Sequence, residues 1–242
     1  MAKSHEFKYV KGEDRFSLEC FEAFWQEIVH THVVKNRIAL IVPCTWAKPY
    51  AESWIYHYMM NGIISGSFQL ISANEKALMQ YMIENKKRDI LEFVDLWYMS
   101  SCGFVPAEKQ LSEHESGYVP FAYDWNSEFA TPEDTAAWFE VTGRRQKEWV
   151  ENFGEYYDSV IVYLRDGSKS LKLWRDEVDD VDSKYIQATA TQEVLPAMDS
   201  QLYYQLTLNG RKTDPDLPLL NPVNLSVLSV VLVQKIKEQL GV

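Results

Sequence analysis

The chain has 242 residues, the length of one domain or of one domain with an extension. With 46% hydrophobic and 14% aromatic residues it has ample material for a packed core, which argues against a disordered chain. A net charge of −11 excludes non-specific binding to phosphate backbones through overall charge, so any contact with nucleic acid must use a local basic patch, a brief contact or a partner subunit.

Three cysteines, Cys20, Cys44 and Cys102, are too few and too scattered for a disulfide framework or a zinc ribbon. No apolar run reaches the roughly 20 residues of a membrane span. The opening MAKSHEFKYVKGEDRF lacks the apolar stretch of a signal peptide, so a reducing cytoplasm is the expected location.

In chain order, Ser17 to His32 is predicted as an amphipathic helix, with Leu18, Phe21, Trp25, Ile28 and Val29 at helical spacing. Arg37 to Pro43 (RIALIVP) reads as a strand buried on both faces, the pattern of a parallel sheet. A helix from Ala51 is expected to stop near Gly62 or Gly66, and a second helix to span Asn74 to Lys86. Ile90 to Met99 (ILEFVDLWYM) reads as a second core strand, and Gly103 to Trp125 as irregular chain punctuated by Pro106, Gly117 and Pro120.

Thr131-Pro132-Glu133-Asp134 is a helix start, with a Thr cap, proline at the first position and acids in the first turn. That helix is expected to reach Phe153. Asp158 to Leu164 is predicted as a third buried strand, Asp166-Gly167 as a turn, Lys169 to Trp174 as a strand by alternation, and Tyr185 to Thr191 as another. A helix broken near Pro196 is expected over Gln192 to Leu208, then a proline-rich loop over Asn209 to Pro222 and a final helix over Asn224 to Leu240 capped by Asn224.

Strands alternating with helices imply an α/β fold of three layers, with a mainly parallel central sheet and helices on both faces. The division expected is an N-terminal helical extension over residues 1–36, an α/β core over 37–175, and a strand and helix completing the same domain over 176–242. Two basic clusters, Lys86-Lys87-Arg88 and Arg144-Arg145 with Lys147, are candidate phosphate contacts, against the plainer reading of solvated helix ends or faces.

The segment after the first strand is Pro43-Cys44-Thr45-Trp46-Ala47-Lys48-Pro49-Tyr50-Ala51-Glu52-Ser53. Ligands of open α/β sheets bind beyond the carboxyl ends of strands, so this loop falls where a site is expected. A lysine near a thiol favours the thiolate, and the N–H groups opening the next helix attract anions. The plain alternative is a small buried cysteine and a surface lysine.

This segment resembles the Pro-Cys-x3-Lys-Pro-Tyr-x2-Ser signature of archaeosine synthase, a family related to the tRNA-guanine transglycosylases, matching at Pro43, Cys44, Lys48, Pro49, Tyr50 and Ser53. The signature's histidine falls at Tyr56, with His57 one residue later. Downstream, Gly103-Phe104-Val105-Pro106-Ala107-Glu108 is similar to the family's Gly-x-Val-Pro-Arg-Glu, with Ala107 in place of the arginine. Tyr118-Val119-Pro120-Phe121-Ala122-Tyr123-Asp124 is similar to its Tyr-Pro-x3-Tyr-Asp element with one extra residue. The likeness spans about Arg37 to Leu164 and corresponds to the family's central domain, standing alone.

The resemblance implies amine addition to the nitrile of a 7-cyano-7-deazaguanine base in tRNA or DNA. It implies Cys44, Lys48 and Asp124 as catalytic residues and Tyr50, Ser53, Trp46, His57, Glu108 and Tyr123 as substrate-binding ones. It implies no cofactor and no metal. The expected partners are a modified guanine base, in nucleic acid or as a nucleotide, and a transglycosylase partner protein, with no membrane. A second reading, of a different class, is a non-catalytic module that binds a nucleotide, a modified base or a protein. A third is a base-flipping enzyme in which Trp46, Trp54 or Trp125 stacks on an extruded base.

Overall fold

The structure, a computed structural model, describes residues 19–44, 53–100, 103–110, 131–177, 185–187 and 217–242. Its centre is β1 (Ile38–Pro43), whose residues Ile38 to Val42 are essentially without solvent contact. An unbroken aliphatic run has no polar face to show to water, so it is stable only between two covering layers. β1 pairs in parallel with β2 (Asp95–Ser100) on one side and with β4 (Ser159–Val162) on the other. β5 (Tyr185–Gln187) extends the sheet in parallel beyond β4. β3 (Gly103–Pro106) turns back antiparallel on β2, giving the order β3-β2-β1-β4-β5.

Successive residues of β2 identify the covering layers, because side chains alternate across a strand. Trp97 meets Trp149 and Phe153 of α4 (Pro132–Phe153), with ring centroids 5.6 and 5.1 Å away. Its neighbour Tyr98 meets Tyr56 of α2 (Trp54–Asn74) at 5.5 Å on the other face. The α4 face also carries α1 (Glu19–Thr31), through Trp25, and α5 (Lys169–Glu177), whose Trp174 reaches Phe104 and Trp149. The α2 face carries α6 (Pro222–Leu240), packed along α2. A three-layer, mainly parallel α/β fold is therefore what the chain adopts.

Several local expectations are corrected. α2 runs straight through Gly62 and Gly66, because both glycines face α6 rather than a turn. A Cβ on Gly62 would collide with Leu225 Cδ1, and one on Gly66 would lie 3.1 Å from Ser229 Oγ, whose hydroxyl donates to Ile63 O at 3.1 Å. The second helix, α3, is shorter than expected and spans Lys76–Glu84.

The run from Ile90 is not all strand. Asp89 accepts from Leu91 N–H and Glu92 accepts from Arg88 and Asp89, and this capping box winds Ile90–Phe93 into a 3-10 turn before β2 begins. Residues 103–106, expected to be irregular, form β3. Lys169 to Trp174, expected as a strand, is the helix α5: Ser168 Oγ accepts from Leu171 N–H, and Leu171 and Trp174 bury one helical face. The final helix is capped by Asn221, which accepts from Val223 N–H, with Pro222 at the first position; Asn224 instead donates to Pro218 O. The helix expected over 192–208 lies outside the described residues.

No helix among the described residues is long and apolar enough to cross a membrane.

Candidate functional site at the carboxyl edge of the sheet

The chain leaves β1 for α2 and α3 on one face and returns as β2; it leaves β4 for α5 on the other face and returns as β5. Connections that depart to opposite faces from adjacent parallel strands open a crevice between them, and in doubly wound sheets that crevice receives ligands. Here it lies at the carboxyl ends of β1 and β4.

Cys44 is the first residue beyond β1. Its N–H donates to Met99 O at 3.0 Å, which carries the β1–β2 pairing one residue past the strand and holds Cys44 level with Ser100. The thiol is half-buried against the core, in no disulfide. On the same edge, Ser53 occupies the N-cap position of α2 and is buried, yet its hydroxyl makes no capping hydrogen bond. His57 follows one turn later, exposed, its N–H on Ser53 O at 3.0 Å. Tyr56 stands between them, its ring 5.5 Å from that of Tyr98; burial raises both phenols above their ordinary range, Tyr98 the more strongly.

Glu108 belongs elsewhere, which corrects its expected place beside Cys44. Because β3 runs antiparallel, its last residue, Pro106, sits opposite Trp97, and the chain continues toward the amino end of β2. Glu108 there accepts from Lys35 Nζ at 2.9 Å and lies 3.8 Å from His32 Nδ1. Burial works to raise its carboxyl, and the Lys35 ammonium brings it below the usual range. The length of the sheet separates it from Cys44. Trp46, Lys48, Tyr50, Tyr123 and Asp124 lie outside the described residues, as do Thr45 and Trp125.

In the second basic cluster, Arg144 and Arg145 are engaged within the fold. Arg145 is fully buried with Nη2 3.2 Å from Glu22 Oε2, and Arg144 Nη2 takes the same oxygen at 2.7 Å while its Nη1 pairs with Glu148 at 2.9 Å. The Arg144 hydrogen bond, opposed by burial and joined by Gln26 and Arg145, lowers the Glu22 carboxyl to about 2. These contacts clamp α1 to α4. Lys87 lies 3.8 Å from Glu92 and over the Phe93 ring.

Sequence reading missed Thr142 and Gln146 on the buried face of α4, and placed Arg145 on a surface patch; all three share the sheet-facing row with Trp149 and Phe153. The signal was present, since these polar residues fall at the apolar spacing of an otherwise amphipathic helix.

No family model matches the chain, and no curated protein matches it. Among solved structures, it is similar to AF0587, a protein of unknown function, at 16% identity and a TM-score of 0.42, over 84% of this chain and 56% of that one. The chain thus spans a little over half the length of that protein.

Proposed function

We propose that the carboxyl edge between β1 and β4 binds a 7-deazaguanine base, in tRNA, DNA or as a nucleotide, and that Cys44 acts there as a nucleophile. The observation that carries the reading is the position of Cys44: the first residue past the central strand, at the point where the connections diverge.

A nitrile carbon is electrophilic but slow to react with amines. In the proposed reaction the Cys44 sulfur adds to that carbon while the nitrile nitrogen takes a proton, giving a thioimidate. An amine then adds to the same carbon, the C–S bond breaks, and an amidine leaves with the thiolate restored. Splitting one hard step into two is the gain of covalent catalysis. Lys48, as the family's lysine, serves as the proton source, and Asp124 holds the incoming ammonium. Tyr50 and Ser53 position the base. The setting is the cytoplasm, with a transglycosylase as the partner that places the base.

The test is incubation of purified protein with a nucleoside or nucleic acid carrying 7-cyano-7-deazaguanine and a panel of amines, including lysine and ammonia, followed by mass spectrometry for the amidine. Activity in the wild type and its loss in Cys44→Ser is the expected result, since serine does not ionise near neutral pH. A fully active Cys44→Ser variant excludes covalent catalysis. One observation favours a module that binds without catalysis: Glu108, a residue of the family motif, is engaged with Lys35 at the opposite edge of the sheet. Base binding without product under any amine establishes that second reading.

A further inference from the structure

α4 runs antiparallel to β2: Phe153 and Trp149 lie against Trp97, and Gln146 lies against Met99, near the strand's carboxyl end. Thr142, one turn earlier on the same helical face, therefore reaches past the end of β2, over the edge that carries Cys44. Met99 joins the two sides of this edge. Its carbonyl accepts from Cys44 N–H, and its sulfur accepts from Gln146 Nε2 at 3.7 Å.

Gln146 and Thr142 are buried to within 1% of completely. Among the described residues, neither Gln146 Oε1 nor Thr142 Oγ1 has a hydrogen-bond partner. The carboxamide oxygen and the hydroxyl lose their water on folding and gain no hydrogen bond among the described residues, an arrangement that folded proteins rarely keep without a use. Leucine and valine would fill the same volumes at no such cost. Arg145, their neighbour, differs: its guanidinium reaches Glu22 and is explained by holding α1.

We infer that Gln146 and Thr142 read the polar edge of the ligand bound at the carboxyl edge of the sheet. The chemistry they fit is a lactam, a ring N–H beside a carbonyl, as guanine-type bases present. Gln146 Oε1, its amide nitrogen turned to the Met99 sulfur, accepts from the ring N–H; the Thr142 hydroxyl donates to the carbonyl. This rests on the reading of that edge as a base site and adds the residues that give it specificity.

The experiment is isothermal titration of the full chain with the nucleoside of 7-cyano-7-deazaguanine, with its N1-methyl derivative and with guanosine, alongside melting temperatures. Gln146→Leu should weaken binding of the nitrile nucleoside by about tenfold or more, and Thr142→Val by severalfold, each melting at or above the wild-type temperature. The N1-methyl probe should bind the wild type weakly and be insensitive to Gln146→Leu. Unchanged affinity in both α4 variants overturns the inference while leaving the catalytic reading intact, and so does a lower melting temperature with unchanged affinity, which marks a structural role. Guanosine binding that depends on Gln146, without preference for the nitrile, supports the inference and removes the nitrile chemistry. No binding of any probe by the wild type overturns both.

Discussion

Gly103 and the indole of Trp25 share one close contact: a Cβ built on Gly103 would lie 2.7 Å from Trp25 Cε3. The indole is fully buried, and its Nε1 donates to Glu148, so it cannot swing aside cheaply. Gly103 also holds φ at +103°, where a side chain is strained. Gly103→Ala should therefore destabilise the fold by about 2–4 kcal/mol, strain and overpacking combined. Urea denaturation measures this; a change below about 1 kcal/mol would show that β3 and α1 separate easily.

The amino edge of the sheet is organised by Asp95. Its carboxylate accepts from Lys35 N–H at 2.9 Å, Asn36 N–H at 3.3 Å, Asn36 Nδ2 at 2.9 Å and Tyr157 hydroxyl at 3.2 Å. Four donors converge on this one side chain, and they set the chain where it leads into β1. Asp95→Asn turns an NH2 toward those donors and should cost about 2–3 kcal/mol. Chemical denaturation reads the loss, and an unchanged midpoint would refute the role.

Buried beside that edge, the His32 ring contacts Trp97 at 4.5 Å and Phe153 at 5.6 Å. Burial lowers its pKa from 6.5, outweighing the Glu108 and Asp95 carboxylates, which raise it; Lys109 and Lys35 add to the lowering. The folded protein thus binds this proton less readily than the unfolded chain. Stability conferred by neutral His32 is complete above 6.5 and declines as pH falls from there toward the lowered value. Carboxylates such as Glu22, lowered from 4.5 to about 2, are lost only at more acidic pH. Melting temperature against pH should therefore begin to fall below 6.5 in the wild type, and only near 4.5 in His32→Leu. Superimposable profiles would exclude His32 as the source.

Cys44 offers a direct chemical trap. Without an amine, the nitrile base should accumulate as a thioimidate on the peptide containing Cys44, visible as a mass increase equal to the base compound added. Cys44→Ser should show no such adduct, while its unfolding midpoint stays within about 1 kcal/mol of the wild type, because the swap nearly conserves volume. An adduct mapped to a different residue would relocate the nucleophile.

The aliphatic runs at Ile38–Val42 and Val160–Leu164 announced buried core segments by themselves, since so many consecutive apolar side chains leave no polar face for water. Thr131-Pro132 marked the start of α4 for an equally local reason, the geometry of a helix's first turn. The position of Cys44 past a core strand was legible too. Local rules failed wherever a distant partner decided the outcome. Gly62 and Gly66 signal a helix end unless a second helix presses against them, and Leu225 and Ser229 are more than 160 residues away in the chain. Lys169 to Trp174 alternates like a strand until Phe104 and Trp149 offer a surface that rewards helical spacing. Glu108 stood near Cys44 in the motif logic, but the antiparallel sense of β3 carried it to the far edge. Sequence determined which segments must be buried, because burial follows from composition and period; tertiary structure alone decided which side chains meet at one edge, because strand order, direction and helix faces are set by contacts between segments remote along the chain.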